Sequence, residues 1–316
     1  MNLPFYSADD VQSSVSMTDA IEVMKEAFTA LSSGTAIVPT RLSLDMPDQH
    51  ALHLSMPAYI TGGKYIAVKL VNVHYDNPQM GFPLVNGIIV VMDAERGEPI
   101  ALIEGKSVTA LRTGACSGLA TKLLSRKDSK NAVIFGAGEQ AKTQIEAISC
   151  VRELESIKVI DPLQEKVLAF CEGLDPLVQL GSPQDLENAD IICTVTTQEK
   201  PLFDYKQIKT GVHINAVGSH KPDTRELPSA LIQNSKVYVD HLPASKIEAG
   251  NILIPISEEV YNWDNIAGEL GQLVDEKING RSTESDITVF NSIGNAAQDL
   301  VIAAICLLYT SPSPRD

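Results

Sequence analysis

The sequence predicts an α/β protein, in which an N-terminal α+β domain leads into a doubly wound parallel sheet. Three observations carry this. Up to residue 104, short Val/Ile/Leu-rich segments are broken by Pro, Gly, Asp and Asn, as in a mostly antiparallel sheet. After Asn131, apolar strands alternate with helical stretches, the pattern of βαβ units. At the first of those strand–helix junctions stands the glycine loop GAGEQA, residues 136–141.

The elements follow in order. Residues 16–32 place Ile21, Met24, Phe28 and Leu31 on one face at helical spacing, and Gly34 stops the pattern. Segments 37–45, 50–56, 64–73, 87–94 and 98–104 read as strands, and residues 106–125 return to helix. Then come strand NAVIF, helix 138–150, strand SIKVID, helix 164–173, a short strand near 177–180 and strand ADIICTV. GVHINAV (211–217) and KVYVD (236–240) extend the set, and no internal repeat is visible.

The bulk numbers exclude several classes. The 316 residues are 44% hydrophobic and 21% charged, a globular balance with room for two domains. A net charge of −15 without a Lys/Arg cluster argues against nucleic acid and anionic membranes as partners. The longest apolar runs are too short to cross a bilayer, and MNLPFYSADD lacks the form of a signal peptide. Cys116, Cys150, Cys171, Cys193 and Cys306 stand at wide spacings, which suits reduced thiols in the cytoplasm and neither a disulfide framework nor a zinc site. No His/Asp/Glu set has metal-ligand spacing, so no metal is expected. The last residues, CLLYTSPSPRD, break the preceding helical pattern and resemble translated sequencing adaptor. Residues 306–316 are therefore expected to be non-native.

The glycine loop sits where a dinucleotide fingerprint must sit, after an apolar strand and at the start of a helix. Gly136 permits the tight turn, Gly138 lets the backbone approach a pyrophosphate, and Ala141 allows close helix–strand packing. The helix N-terminus, opened by Glu139 and Gln140, then offers N–H groups to phosphates. Asp161 ends the next strand, where a carboxylate accepts from ribose hydroxyls and repels a 2′-phosphate. Residues 162–164 supply no arginine for such a phosphate, so a Rossmann-type domain binding NAD is favoured over one binding NADP.

Three cations lie in apolar company. Lys69 sits inside YIAVKLVNV, where an unpaired ammonium is costly, so it should meet an anion or a cavity. Arg112 lies on helix 106–125 in line with Val108, Ala115 and Leu119, and Arg41 falls on a strand in IVPTRLSL. Each alone reads equally well as a snorkelling surface side chain; together they suggest a carboxylate pocket.

LRTGACS (111–117), GAGEQA, HINAVGS and ITVFNSIGNAAQD (287–299), in that order with Lys69, resemble the ornithine cyclodeaminase/mu-crystallin family. The resemblance implies a substrate-binding and dimerisation domain over 1–112 and an NAD-binding domain over 113–294. From 295 to 305 a helix would begin its return to the N-terminal domain. It implies a homodimer that exchanges hydride between nicotinamide and the α-carbon of an amino or imino acid. By the same resemblance Arg41, Lys69 and Arg112 hold the substrate carboxylate, with Arg112 also at the cofactor, and Ile293 touches substrate. Val217, Gly218, Ser219 and Ser292 join Gly136, Gly138, Glu139, Gln140 and Asp161 around the cofactor.

Two departures separate this chain from the cyclodeaminases of the family. Their essential Asp after the VGS stretch corresponds to His220, and a cofactor-contacting Thr corresponds to Leu84. Cyclisation with ammonia loss needs a carboxylate to take up protons and to stabilise a cationic imine. A histidine suits a preformed imine that needs only hydride and a proton. The expected activity is thus reduction of a cyclic α-imino acid, such as Δ1-pyrroline-2-carboxylate, or a related amino-acid dehydrogenation. Ornithine cyclodeamination and non-catalytic ligand binding of the mu-crystallin kind are the alternatives. Lys69 and His220 are the candidate catalysts. His220 is either a proton donor or a pocket wall, with protons then coming from Lys69 or water. Asp223 and Arg225 could orient its loop, whereas His53, His74, His213 and His241 read as packed residues in or beside strands.

Overall fold

The computed structural model describes residues 3–310. The chain forms two compact units, one of residues up to Arg112 plus those from Asn295 onward, the other of Thr113–Gly294.

The first unit begins with β1 (Phe5–Tyr6) and the helices α1 (Ala8–Ser14) and α2 (Met17–Ser33). Ser7 and Ser16 cap the two helices by accepting from Asp10 and Asp19 N–H. Gly34, at φ 76°, ends α2 in the left-handed region that a glycine adopts without strain. Met17, Ala20, Ile21, Met24, Ala27, Phe28 and Leu31 form its buried stripe.

The strands are β2 (Ala36–Ile37), β3 (Leu42–Met46), β4 (Ala51–Ile60), β5 (Tyr65–His74), β6 (Val85–Asp93) and β7 (Pro99–Glu104). They form a seven-stranded sheet in the order β1-β7-β6-β5-β4-β2, with β3 on β4; every pair except β1–β7 is antiparallel. On β5, Ala67, Lys69 and Val71 are buried while their neighbours are half-buried, so one face is covered more fully than the other. Arg41 lies in the link between β2 and β3, not on a strand as expected: Pro39 removes a ladder donor just before it.

Helix α3 (Gly105–Leu124) runs across the division between the units. The second unit then alternates β8 (Asn131–Phe135), α4 (Glu139–Ser149), β9 (Ser156–Ile160), α5 (Gln164–Cys171) and β10 (Val178–Leu180). It continues through β11 (Ile191–Thr194), β12 (His213–Ala216), α6 (Ser229–Gln233), β13 (Lys236–Val239), α7 (Leu242–Glu248) and α8 (Gly250–Ser257). Last come β14 (Ile266–Glu269), α9 (Leu270–Val274) and β15 (Thr288–Asn291). The eight strands are all parallel, in the order β10-β9-β8-β11-β12-β15-β13-β14. One apolar cluster, around Val133, Ile192, Ile214, Val237 and Val289, packs one face. A second, around Ile134, Ile157, Val159 and Cys193, packs the other. Such strands read as continuous apolar runs because helices cover both faces.

His213 is the packed residue expected, fully buried within β12 between Thr288 Oγ1 at 3.0 Å and Asn215 Oδ1 at 3.1 Å. Burial pushes its imidazole down to about 3, so it is neutral packing. The C-terminal helix, α10 (Ala296–Thr310), does not stop at Cys306; Cys306 and Leu307 are buried, because the adaptor-like CLLYT still supplies apolar residues at helical spacing. Residues 311–316 of the expected non-native tail lie outside the described residues. In the first unit α10 packs on α2 and on strands β4, β5 and β6.

Candidate functional site

In the first unit, β5, α3 and α10 converge on one cluster of charges. Lys69 projects from the covered face of β5, opposite Met56 and Ile89, and its side chain is 3% exposed. Its Nζ stands 2.7 Å from Asp299 Oδ2, on the first turn of α10. Arg112, 11% exposed, sets Nε at 3.4 Å from the other oxygen of Asp299 and donates from Nη1 to Gln298 Oε1 at 2.9 Å. Arg41 is half-buried, and its charge is felt at Lys69. The expected gathering of Lys69, Arg112 and Arg41 is therefore present, and its anion comes from the chain itself.

Burial lowers the Lys69 ammonium to about 8. Asp299 opposes that shift, while Arg112 and Arg41 reinforce it. Lys69 and Arg112 both face the Asp299 carboxylate, and cations so placed suit an anionic ligand. A lysine poised near 8 can also give or take a proton close to neutrality.

In the second unit the glycine loop leaves β8 with Gly136 at φ 103°, a conformation that excludes a β-carbon, and one placed there would stand 2.8 Å from Val195 O. Gly138 caps α4 without any side-chain hydrogen bond, and a β-carbon there would meet nothing within 4 Å. An uncapped helix start opening on space fits a pyrophosphate. Glu139 and Gln140 form the first turn, and Ala141 is fully buried against the sheet. Asp161 Oδ2 accepts from Ala137 N–H at 3.1 Å and from Lys166 Nζ at 3.0 Å. Burial would raise this carboxyl, but the bonds from Lys166, Leu163 and Ala137 hold it below the usual carboxylate range. It is thus an anion fit for ribose hydroxyls. The lysine arrives from one turn into α5, beyond the residues 162–164 in which the sequence offered no arginine.

Two buried carboxylates that the sequence reading passed over shape the loops beyond the strand ends. Glu226 accepts five bonds. Thr196 N–H and Oγ1 reach its Oε1, each at 2.8 Å; Thr194 Oγ1 at 2.7 Å, Gly218 N–H at 3.0 Å and Ser219 N–H at 3.2 Å reach Oε2. It ties the loop after β11 to Val217–Gly218–Ser219, the loop after β12. A β-carbon on Gly218 would stand 2.4 Å from Glu226 Oε1, so the residue must be glycine. Asn251 Oδ1 in turn accepts from Glu226 and Leu227 N–H. Asp240 Oδ2 accepts from Ser292 Oγ at 2.9 Å, Ile293 N–H at 3.1 Å and Gly294 N–H at 2.8 Å, which shapes the loop after β15.

His220 is exposed, its Nδ1 3.4 Å from Gly218 O. Arg225 reaches Ser229 and Glu258, whereas Glu226 and the Ser219–Thr224 bonds set the turn. The signal for Asp299 was available: a lone acid in AAQDLVIAAI is as anomalous as the lysine in YIAVKLVNV. Glu226, inside a run of charged residues, carried no such signal.

Comparison with known proteins agrees with this layout. The model of the ornithine cyclodeaminase/mu-crystallin family matches residues 2–310. A Delta(1)-pyrroline-2-carboxylate reductase of Bacillus cereus is 37% identical over 304 residues, 94% of this chain and 93% of that one. The solved structure of Thermococcus litoralis Delta(1)-pyrroline-2-carboxylate reductase with NADH and L-proline superposes with a TM-score of 0.92 at 35% identity, covering 97% of each chain. An archaeal alanine dehydrogenase dimer with bound NAD gives 0.90 at 29% identity, covering 98% of this chain and 96% of that one. The chain therefore belongs to the ornithine cyclodeaminase/mu-crystallin family.

Proposed function

We propose that this chain is an NAD-dependent reductase of a cyclic α-imino acid, with Δ1-pyrroline-2-carboxylate as substrate and L-proline as product. The observation that carries this reading is the buried Lys69, held near its titration point beside Arg112 and Arg41. Arg112 and Arg41 bind the substrate carboxylate, and Lys69 donates the proton that the imine nitrogen needs. Gly136, Gly138, Glu139, Gln140 and Asp161 hold the dinucleotide, with Val217, Gly218, Ser219 and Ser292 beside it and Ile293 lining the substrate. When bound, the cofactor supplies the hydride. The relatives' names and the NADH and L-proline held by the Thermococcus litoralis protein support this choice over cyclodeamination. So does the histidine in place of the cyclodeaminases' acid/base. The exposure of His220 favours a lining role over that of principal acid.

The protein acts as a homodimer through the open face of the seven-stranded sheet. Pro57, Ile66, Val68, Leu70, Ile88 and Val90 lie there side by side, half-buried and apolar. The archaeal alanine dehydrogenase dimer supports the assembly. Among the described residues no helix is long and apolar enough to cross a membrane, and the wide cysteine spacing supports a cytoplasmic location.

The deciding experiment follows the near-ultraviolet absorbance of NADH with Δ1-pyrroline-2-carboxylate, beside L-ornithine with NAD scored for proline and ammonia. NADH oxidation in the first arm and silence in the second is the expected result. Proline and ammonia from ornithine would overturn the assignment.

A further inference from the structure

We propose that Asp299 is the positioning residue of this site: it keeps Lys69 charged and aimed, so that Lys69 rather than water delivers the proton. This rests on the reading of the site as an imine reductase. Reduction of C=N adds one hydride to carbon and one proton to nitrogen. The cofactor gives the hydride and becomes NAD+; the Lys69 ammonium gives the proton and becomes a neutral amine, which water reprotonates. Asp299 takes no part in the transfer and touches Lys69 and Arg112.

Two observations distinguish Asp299 from a packing residue. Its side chain is 1% exposed, and its partners are the charged side chains of Lys69 at 2.7 Å and Arg112 at 3.4 Å. Glu226 and Asp240, by contrast, are saturated with neutral donors that fix backbone. Arg112 has its own neutral acceptor in Gln298, one residue before Asp299, so the charge of Asp299 is available to Lys69. The charged groups that face Lys69 are Asp299 from α10, Arg112 from α3 and Arg41 from the β2–β3 link. With Asp299 removed, burial and both arginines act together against the ammonium.

The sign follows. Imine reduction needs protonated Lys69 and declines as pH rises through its pKa; proline oxidation needs the neutral amine and rises there. D299N therefore moves both limbs to lower pH, by about one unit or more. Reduction fails earlier, and oxidation begins earlier. D299E keeps the charge and returns both limbs towards the parent position, even at reduced rate. K69R has no titrating amine and abolishes the limb.

The experiment records pH profiles of kcat/KM in both directions for the parent, D299N and D299E. In parallel, the Lys69 Cε signal is titrated by NMR in lysine-labelled protein, with K69R to assign it. Rates that drop in D299N with unshifted limbs and an unshifted Lys69 titration would overturn the inference and make Asp299 a packing residue. If the parent does not reduce the imine, the proposed function fails. The Lys69 titration in parent and D299N then still decides whether Asp299 holds the lysine charged.

Discussion

The two units treat buried charge in opposite ways. Around Lys69 in the first unit, the Asp299 carboxylate meets the charged side chains of Lys69 and Arg112. In the second unit, Glu226 takes five donors and Asp240 Oδ2 three, nearly all neutral and most of them backbone N–H groups. A saturated carboxylate fixes shape, because each donor would lose a partner if it moved. A cluster of opposed charged side chains can still trade a proton or accept an anion, because its members are not fixed backbone groups. In the proposed function the first unit reacts and the second holds.

The largest effect tests the reacting side. K69M removes the proposed proton donor, and kcat/KM for imine reduction is expected to fall by about 10²–10⁴-fold. NADH binding, followed by its fluorescence, stays at the parent level, since the glycine loop and Asp161 are intact. A tenfold or smaller loss of turnover would mean that the first unit binds without reacting.

On the holding side, E226Q keeps the shape but replaces one acceptor oxygen with a donor. Whichever way the amide turns, it faces a backbone N–H, from Thr196 or from Gly218 and Ser219. We expect a loss of about 1–3 kcal/mol in unfolding free energy, read by denaturant titration. NADH affinity weakens with it, while the pH profile keeps its position. A shifted limb in E226Q would break the contrast drawn here.

Asp190, also in the second unit, is held by cations as well as by backbone donors. Its carboxylate accepts from Arg126 Nη2 at 2.6 Å, Lys209 Nζ at 2.7 Å and the N–H groups of Lys130 and Asn131. Burial would raise its pKa, but the bonds from Lys209, Lys130 and Asn131 prevail and hold it below the ordinary value. A depressed folded-state pKa gives stability that is present above the unfolded value and is lost as pH falls through the folded one. D190N therefore costs about 3 kcal/mol near neutrality, and its deficit against the parent shrinks as pH drops below about 4. Urea unfolding at neutral and acid pH checks both.

The smallest effect is expected at His220. H220A lowers kcat/KM for the imine by less than about tenfold, below the range for removal of a positioned proton donor. A larger loss, with a change in the pH limb, would return His220 to the role of acid.

Much of this was legible in the chain. GAGEQA was legible as a strand–turn–helix junction because its constraints are local: the turn at Gly136 and the helix start after Gly138 fall within six residues. Lys69 announced itself by its apolar neighbours. Arg41 was placed on a strand because the pattern around it is strand-like, but Pro39 leaves it in a link. Glu226 was invisible, since HKPDTREL looks like any solvated loop until Thr194, Thr196, Gly218 and Ser219 are folded around it.

The sequence by itself determined the two kinds of sheet, the glycine turn between β8 and α4 and the need for an anion near Lys69. Periodicity, glycine placement and the cost of burying a charge are properties of short stretches. Only the tertiary structure decided which anion that is. Asp299 lies 230 residues beyond Lys69 in the chain and reaches it at 2.7 Å only because α10 packs on β5. Pairings of that kind depend on how whole elements dock, which no local pattern encodes.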